Sequence, residues 1–279
     1  MSGSTVEQRI PWEDLPAALK QAIEARTGAI TAGTTMIAGQ NSPLAAVVDT
    51  AAGRVFVKGL PSEHRRVITQ DREAAVAPLV TAISPALLWH FDEAGWNVLG
   101  YQYAPGRHAD YRPGSPDLDQ VVQLMETLSR IGAPADPGPL KRAEDRWKSY
   151  VYDPGDELAF AGTALTHTDW APDNILIAVG RPWLIDWAWP TLGAAWTDPA
   201  CWLLRLMAAG GHTAAQAEHQ AARLTAFAAA DPAHVDRFAR ASVRMWAEIA
   251  QGSGSDWTAK MAQAARAWAA HRGVLEYAG

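Results

Sequence analysis

The stretch that decides the fold runs from His167 to Asp186 and reads HTDWAPDNILIAVGRPWLID. Asp169 and Asn174 stand five positions apart with a proline between them, and this spacing predicts a loop instead of one face of a helix. The apolar runs ILIAV and PWLI follow, with a glycine near the turn between them, and predict the two strands of a tight hairpin. Such a hairpin turns the chain back and brings Asp186 close to Asn174.

Three oxygen-bearing side chains are thereby gathered at one place, those of Asp169, Asn174 and Asp186. A carboxylate can orient an attacking hydroxyl, whereas an amide oxygen and a second carboxylate suit the hard cation Mg²⁺. Transfer of a γ-phosphoryl group needs this combination, because its catalysis consists mainly of positioning and charge neutralisation. The stretch therefore predicts a phosphoryl-transfer site.

The composition bounds the class of protein. With 279 residues, 30.0 kDa and 48% hydrophobic residues, the chain can bury a large core and form one domain or two lobes. It has no apolar leader-like segment and no apolar run of the roughly 18 residues that span a bilayer, which predicts a cytoplasmic protein without a membrane partner. A net charge of -6 without a long block of lysine and arginine argues against nucleic acid as a partner. Cys201 is the only cysteine, which excludes an intrachain disulfide.

The first third of the chain predicts a small antiparallel sheet. A helix is expected at 13–27, closed by Gly28, and another from 62 to 80. Turn residues separate short apolar runs, with DTAAGR and DEAG as the clearest hairpin connections. About five strands are expected, in AITAGTTMIAG, PLAAVVDT, RVFVKGL and twice in PALLWHFDEAGWNVLGYQY.

From Ala104 onward the pattern changes, because APGRHADYRPGSPD is rich in glycine and proline and helical periodicity then prevails. This change predicts a division into 1–103 and 104–279. Asp198 and Asp231 each precede a proline, as a helix N-cap does. Helices are expected at 117–132, 141–151, 198–209, 213–229, 231–251 and 256–272.

The pattern His167-x-Asp169-x4-Asn174, followed by Asp186-Trp187, resembles the catalytic and metal motifs of the aminoglycoside phosphotransferase and choline kinase group. The resemblance spans roughly residues 30 to 210. It implies an α+β, bilobal, protein-kinase-like fold. In that fold a small antiparallel sheet lobe at 1–103 binds the nucleotide, and a larger, mainly helical lobe at 104–279 carries catalysis and the acceptor.

The resemblance also implies roles for the residues of the stretch. Asp169 would accept or orient the proton of the acceptor hydroxyl, and Asn174 and Asp186 would hold Mg²⁺ against the nucleotide phosphates. His167 belongs to the same catalytic loop and is expected to brace it through hydrogen bonds. Asp198 is similar to the acidic residue that supports the loop from a helix start.

Upstream residues match the nucleotide-binding parts of the group. Lys58, in RVFVKGL, is placed like the phosphate-contacting lysine, and Glu73, in QDREAAVAPLV, like its ion-pair partner. The segment AGQNSPLAAV, residues 38–47, is similar to the loop that covers the nucleotide, with Ser42 and the amides around Gly39 able to approach phosphates.

The segment LGYQYAPG stands where the hinge between the lobes is expected. Backbone groups from Gln102 through Tyr103 to Ala104 would hold the purine edge of the nucleotide. The implied activity is transfer of the γ-phosphoryl group from ATP or GTP, with Mg²⁺, to a hydroxyl of a small molecule. An antibiotic acceptor would make this a resistance function, and this point rests on analogy alone. The oligomeric state stays open.

Departures from the pattern keep a second interpretation open. Thr168 stands where the group often has glycine, and Trp170 and Ala171 leave the loop without a basic or polar residue to contact the γ-phosphate. A nucleotide-binding module without phosphotransfer is the alternative. Trp187 favours the small-molecule branch over protein kinases, as does the short connection from Asp186 onward.

The acceptor pocket is less well indicated. Most of the 13 tryptophans are expected in the core. Some of a helical-lobe set could instead line an acceptor pocket, since a flat apolar ring suits a sugar or a base. That set is Trp196, Trp202, Trp246, Trp257 and Trp268.

Overall fold

The computed structural model describes residues 9–37 and 42–275 and has two lobes. The first, called the sheet lobe, contains one antiparallel sheet of five strands in the order β1-β2-β3-β5-β4. Its elements are, in chain order, a 3₁₀ turn at Trp12–Asp14, α1 (Ala17–Thr27), β1 (Ile30–Thr35), β2 (Leu44–Thr50), β3 (Gly53–Pro61), α2 (Ile68–Val76), β4 (Leu87–Glu93) and β5 (Trp96–Gln102).

Tight turns and a buried cluster between the sheet and α1 define the sheet lobe. Ala94 and Gly95 join β4 to β5 with φ angles of 53° and 76°, the conformation of two-residue turns that match strand twist. Leu19 of α1 packs in one buried cluster with Val57 and Val98 of the sheet. Each such side chain contributes about 1.5 to 3 kcal/mol when it is removed from water. The predicted five-stranded sheet is confirmed.

The second lobe, called the helical lobe, is mainly α-helical with two small sheets, of strand order β10-β9-β6 and β7-β11-β8. It contains 3₁₀ turns at Lys148–Tyr150, Asp156–Phe160 and Pro172–Asn174. Its elements are, in chain order, β6 (Arg107–His108), α3 (Asp117–Leu128), β7 (Lys141–Arg142), α4 (Ala143–Trp147), β8 (Ala164–Thr166), β9 (Ile175–Ile177), β10 (Pro182–Leu184), β11 (Thr191–Gly193), α5 (Thr197–Gly210), α6 (Ala214–Ala221), α7 (Thr225–Ala228), α8 (Pro232–Ser253) and α9 (Asp256–His271).

Aromatic rings fill the centre of the helical lobe. Trp147, Phe160, Trp196 and Phe238 meet edge to face with ring centroids 5.1 to 6.2 Å apart. This geometry is the favoured one for aromatic pairs. The rings belong to α4, a 3₁₀ turn, the start of α5 and the middle of α8, so one core joins distant parts of the chain.

The bilobal α+β arrangement predicted above is confirmed. Each lobe has its own buried core, although Val76, Val80 and Ile83 from the α2 region pack into the core of the helical lobe. The division at 103/104 stays a prediction. In the part of the chain that the structure describes, no helix has the length and apolar character to cross a membrane.

Several helices are shorter than predicted or are divided. The helix expected from 62 to 80 is confined to α2. It ends before Pro78, which has no N–H to donate to the preceding helical turn. The helix expected at 213–229 divides into α6 and α7 at Leu224, whose backbone is extended and whose side chain is buried. The helix expected at 141–151 is reduced to α4, which follows the strand β7 and precedes the 3₁₀ turn Lys148–Tyr150. The helices expected at 117–132, 198–209, 231–251 and 256–272 correspond to α3, α5, α8 and α9.

The prediction of two aspartate caps is half right. Asp231 is the N-cap of α8, and its side chain accepts from the N–H of Ala233 at 2.8 Å. Asp198 is no cap, because α5 begins at Thr197 after the N-cap residue Trp196. Its carboxylate points to another part of the chain, described below.

Candidate active site

The predicted hairpin after the catalytic loop is present and delivers two of the candidate residues. β9 pairs with β10 from Ile177 opposite Pro182 to Ile175 opposite Leu184. The 3₁₀ turn Pro172–Asn174 leads directly into β9. Both Asn174 and Asp186 therefore stand at the same end of the hairpin.

Lys58 of β3 connects the two lobes. Its Nζ donates to Oε1 of Glu73 on α2 and to Oδ1 of Asp186, both at 2.6 Å. The Lys58 side chain is 12% exposed, so both ion pairs are largely shielded from water. The hydroxyl of Tyr101 donates to the other oxygen of Glu73 at 3.3 Å. The predicted ion pair between Lys58 and Glu73 is thus in place. The same ammonium group also forms an ion pair with Asp186, one of the candidate metal ligands.

Burial and charge act in opposite directions on this cluster. Burial lowers the pKa of Lys58, but the carboxylates of Asp186 and Glu73 raise it, and the net pKa lies above its ordinary value. Burial raises the pKa of Glu73 to about 7, although the Lys58 ammonium opposes the rise. Burial also raises the pKa of Asp186, but Lys58 lowers it and the net pKa lies below its ordinary value. Lys58 and Asp186 are therefore both charged at neutral pH.

Asp198 holds the candidate catalytic loop by its backbone. Its two carboxylate oxygens accept from the N–H groups of His167 at 2.9 Å and Thr168 at 2.8 Å. Thr168 has a φ of 65°, in the left-handed region that favours glycine. The hydroxyl of Thr168 donates to the carbonyl of Trp189 at 2.9 Å. These contacts keep a β-branched residue in a strained conformation and fix the loop that carries Asp169.

His167 is fully buried and braces the loop. The N–H of Asp169 donates to its Nδ1 at 3.3 Å, so the proton of the neutral ring belongs on Nε2, which lies 3.1 Å from the carbonyl of Ile185. Burial lowers the pKa of His167. A neutral ring with both nitrogens in hydrogen bonds is suited to positioning Asp169.

Asp169 forms an ion pair that the sequence did not reveal. Nη2 of Arg205, on α5, donates to its Oδ1 at 2.6 Å, and the two side chains are 10% and 25% exposed respectively. Arg205 also lies over the rings of Trp246 and Trp257, at 5.3 and 5.0 Å from their centroids. The signal in the sequence was a single charge within the apolar run CWLLRLM, since an arginine buried in a helix needs a partner.

The tryptophans expected near an acceptor divide into two groups. The structure buries Trp196, Trp202 and Trp268 in the core of the helical lobe. Trp257 is 36% exposed and Trp246 is half-buried, and both contact Arg205. Of the five, these two contact the arginine that pairs with the candidate base.

The candidate metal ligands offer the oxygens that Mg²⁺ requires. The amide nitrogen of Asn174 donates to the backbone carbonyl of Asp169 at 2.9 Å, which directs its amide oxygen elsewhere. Asp186 uses Oδ1 for Lys58, and its Oδ2 makes no hydrogen bond to a residue within 9–37 or 42–275. Two hard oxygen donors with unused lone pairs fit Mg²⁺, which commonly takes one or two protein ligands together with phosphate oxygens.

The structure describes the proposed nucleotide-covering loop only in part. Residues 38–41 of the proposed covering loop, with Gly39, lie outside the described residues. Ser42 is buried and precedes β2, in which Ala45 lies opposite Lys58. Its role at the phosphates stays a prediction.

The proposed hinge leads out of β5. The N–H of Gln102 donates to the carbonyl of Ala86 at 2.8 Å, so this donor is already used within the sheet lobe. Tyr103 and Ala104 follow the strand and are half-buried. If a purine binds here, the backbone groups of these two residues are the ones available to it.

Comparison with known proteins identifies the fold. No protein-family model and no curated protein sequence matches the chain. Choline kinase LicA from Streptococcus pneumoniae matches with 15% identity, 91% of this chain, 99% of that chain and a TM-score of 0.57. A thermostable mutant of aminoglycoside phosphotransferase APH(4)-Ia, in a ternary complex with AMP-PNP and hygromycin B, matches with 14% identity, 92% and 99% coverage and a TM-score of 0.62. A choline/ethanolamine kinase family protein from Mesorhizobium loti matches with 19% identity, 93% and 96% coverage and a TM-score of 0.53.

These similarities extend over almost the whole length of both chains. The chain therefore has the protein-kinase-like fold of small-molecule kinases, and the resemblance predicted from the sequence motifs is confirmed at the level of the fold. Fold alone does not establish activity, which depends on the residues of the site.

Proposed function

We propose that the chain is a phosphotransferase that moves the γ-phosphoryl group of ATP or GTP to a hydroxyl of a small molecule in the cytoplasm. The observation that carries the proposal is the network Glu73–Lys58–Asp186, which joins the lobes beside the loop bearing Asp169. Structures of the same fold contain AMP, ADP or AMP-PNP, which supports a nucleotide as the donor.

Each residue of the site has a defined task in this proposal. Lys58, held by Glu73, would contact the nucleotide phosphates. Asn174 and Asp186 would hold Mg²⁺, which when bound neutralises charge on the phosphate oxygens. Asp169, positioned by His167 and the neighbouring backbone, would orient the acceptor hydroxyl and take its proton.

The bonds that change are the same for any acceptor. The hydroxyl oxygen forms a bond to the γ-phosphorus, and the bond from that phosphorus to the bridging oxygen of the nucleoside diphosphate breaks. The hydroxyl proton passes to Asp169 and from there to water. The products are a phosphate ester and a nucleoside diphosphate. Choline kinases and aminoglycoside phosphotransferases of the same fold suggest small-molecule acceptors, including antibiotics.

A nucleotide-binding module without phosphotransfer is the second candidate. The ion pair between Asp169 and Arg205 favours it, because an engaged carboxylate is less available as a base. Ala171 adds to this case, since its side chain offers no polar group to a γ-phosphate.

The test is a mass-spectrometric screen of hydroxyl compounds incubated with the purified protein, Mg²⁺ and ATP, and then with GTP. The readout is the mass of one added phosphoryl group. The Asp169→Asn variant should turn over about a hundred to ten thousand times more slowly than the wild type, while it still binds nucleotide. The matched control is Asp173→Asn, in the same loop but exposed, which should behave like the wild type.

The outcomes separate the two candidates. A phosphorylated product that the Asp169→Asn variant forms only slowly supports the phosphotransferase. Tight nucleotide binding without loss of the γ-phosphate to any acceptor favours the binding module. Equal turnover by the wild type and Asp169→Asn would remove Asp169 from the mechanism.

A further inference from the structure

Arg205 lies beside the candidate base, on the side of the helical lobe. Its guanidinium donates to Asp169 through Nη2 and lies over the indoles of Trp246 on α8 and Trp257 on α9. Such cation–π contacts are strongest where water is excluded, and the Arg205 side chain is only 10% exposed. A fixed cation therefore stands where an acceptor hydroxyl has to approach Asp169.

Most of the hydrogen-bonding capacity of Arg205 is unused. The bond to Asp169 is the only one that it makes to the described residues. A guanidinium has five N–H donors in a planar fork. None of the Arg205 nitrogens is both fully buried and without a partner, so the unused donors keep some contact with solvent although the side chain is 10% exposed. Charged donors of this kind bind carboxylates and phosphates, often through two parallel hydrogen bonds.

Arg205 belongs to the acceptor side of the site. Where the nucleotide phosphates are proposed to bind, Lys58 is the charged group that lowers the pKa of Asp186 most strongly. Arg205 instead pairs with Asp169 and with two indoles from helices that follow the catalytic motifs along the chain. An anion bound by Arg205 would therefore belong to the acceptor.

A second arginine adds positive charge near the same loop. Arg146 donates to the carbonyl of Trp189 at 2.9 Å, the carbonyl that also accepts from Thr168. Its charge interacts with that of Asp169. Glu248, two positions after Trp246 on α8, is exposed, and its charge acts on Tyr150.

We propose that the acceptor is a hydroxyl compound with an anionic group, a carboxylate or a phosphate, that binds Arg205 next to Asp169. This inference rests on the proposed phosphotransferase function. A cationic acceptor such as choline would meet the guanidinium of Arg205 at this point. The two indoles that could face a quaternary ammonium already contact Arg205.

The test compares acceptors of different charge, with Mg²⁺ and ATP or GTP. The anionic probes are glycerate and glycerol 3-phosphate, the neutral probe is glycerol, and the cationic probes are choline and hygromycin B. Steady-state kinetics are then measured for each compound that is phosphorylated. The wild type should prefer an anionic probe, because its charge pairs with Arg205.

Variants at Arg205 connect the preference to the residue. Arg205→Gln should raise KM for the anionic probe by about ten- to a hundredfold, the usual range for a lost hydrogen bond to a charged group, with a smaller change in kcat. Arg205→Lys keeps the charge without the planar fork and should fall between Arg205→Gln and the wild type. Arg112→Gln is the matched control, since the Arg112 side chain is 80% exposed.

The outcomes distinguish this inference from the proposed function. Phosphorylation of choline or hygromycin B as efficient as that of an anionic probe would overturn the inference and leave the phosphotransferase standing. If no probe is phosphorylated, the protein loaded with Mg²⁺ and AMP-PNP is titrated with glycerol 3-phosphate while tryptophan fluorescence is recorded. A saturable change that Arg205→Gln or Arg205→Lys weakens supports the inference, and the absence of a saturable change overturns it. Failure to bind Mg²⁺ and nucleotide overturns both proposals.

Discussion

Thr168 and Asp186 both have a positive φ, of 65° and 63°, although neither is glycine. Such backbone costs on the order of 1 to 3 kcal/mol and persists only where surrounding contacts maintain it. Hydrogen bonds from Thr168 to Asp198 and Trp189 provide this support on one side, and the ion pair of Asp186 with Lys58 provides it on the other. Strain at the level of single residues therefore coincides with the candidate site.

Replacing Asp198 with alanine should lower the free energy of unfolding by about 2 to 6 kcal/mol. The N–H groups of His167 and Thr168 would lose their acceptor, and each buried N–H left unsatisfied costs about 1 to 3 kcal/mol. Urea denaturation of the variant and the wild type measures the difference.

Asp231→Ala is the matched control for that change. Asp231 also precedes a proline at a helix start, but it is an exposed cap whose loss typically costs about 1 kcal/mol. Equal losses in the two variants would show that the contacts of Asp198 with the candidate catalytic loop stabilise the protein no more than an exposed helix cap does.

The pH dependence of stability should carry a contribution from His167. Because burial lowers its pKa in the folded state, the unfolded chain binds a proton below about pH 6.5 that the folded chain does not. The free energy of unfolding should therefore fall as the pH falls through this range, by at most about 1.4 kcal/mol per pH unit from this group.

The measurement is a pair of urea denaturation series, for the wild type and for His167→Gln. The variant should show a smaller decrease in stability between about pH 6.5 and pH 5, while both should have the same slope above about pH 7.5, where histidine is neutral in either state. Parallel curves at low pH would mean that His167 is protonated in the folded protein as readily as in the unfolded one.

At the scale of elements, the β9–β10 hairpin determines where Asp186 lies. Its local signals were sufficient for prediction, because two short apolar runs flank a glycine and strand pairing follows from the turn. α2 shows the opposite case. Its helical pattern continues past Val76 in the sequence, but Pro78 ends it.

The turn of this hairpin provides a prediction. Gly180 has a φ of 89°, and nothing lies within 4 Å of the position of an added Cβ. Gly180→Ala should therefore lower the free energy of unfolding by about 1 to 2 kcal/mol, through backbone strain and not through a steric clash. Turnover should fall with it if the hairpin positions Asp186, and thermal denaturation with activity assays measures both.

Gly132→Ala is the control for the turn. An added Cβ at Gly132 also meets nothing within 4 Å, but its φ lies outside the left-handed range. This variant should be neutral or more stable by about 0.4 to 1 kcal/mol, because alanine reduces the freedom of the unfolded chain. Destabilisation at both glycines would point to an effect other than backbone strain.

At the scale of the whole molecule, Lys58 and Asp186 form a contact between the lobes. A nucleotide that binds with Mg²⁺ at this point would contact both lobes and stabilise the folded chain as a unit. At a ligand concentration a hundred times Kd, the expected stabilisation is about 2.7 kcal/mol. Thermal denaturation with AMP-PNP and Mg²⁺ should show this as a higher Tm.

Removal of the metal tests the two candidate ligands. EDTA should remove most of the stabilisation by AMP-PNP, and Asp186→Asn should do so even with Mg²⁺ present, because the amide lacks the charge that Mg²⁺ favours. Asp173→Asn, exposed in the catalytic loop, serves as the control. An identical shift of Tm with and without Mg²⁺ would contradict the assignment of Asn174 and Asp186.

The sequence by itself determined the features that depend on residues close together along the chain or on a motif. Strand alternation and turn residues predicted the five-stranded sheet, and the spacing from Asp169 to Asp186 predicted the hairpin and the three oxygen-bearing side chains beside it. The order of Lys58 and Glu73 along the chain predicted their ion pair through the family resemblance. These features need only neighbouring residues or a known motif.

Only the tertiary structure decided the contacts between distant segments. Asp198 accepts from a loop 30 residues before it, and Arg205 reaches Asp169 from a helix whose sequence otherwise indicates a buried apolar core. The same packing separates the buried tryptophans from Trp246 and Trp257. The physical reason is that a buried charge needs a partner, and the packing of the whole lobe selects which partner it meets.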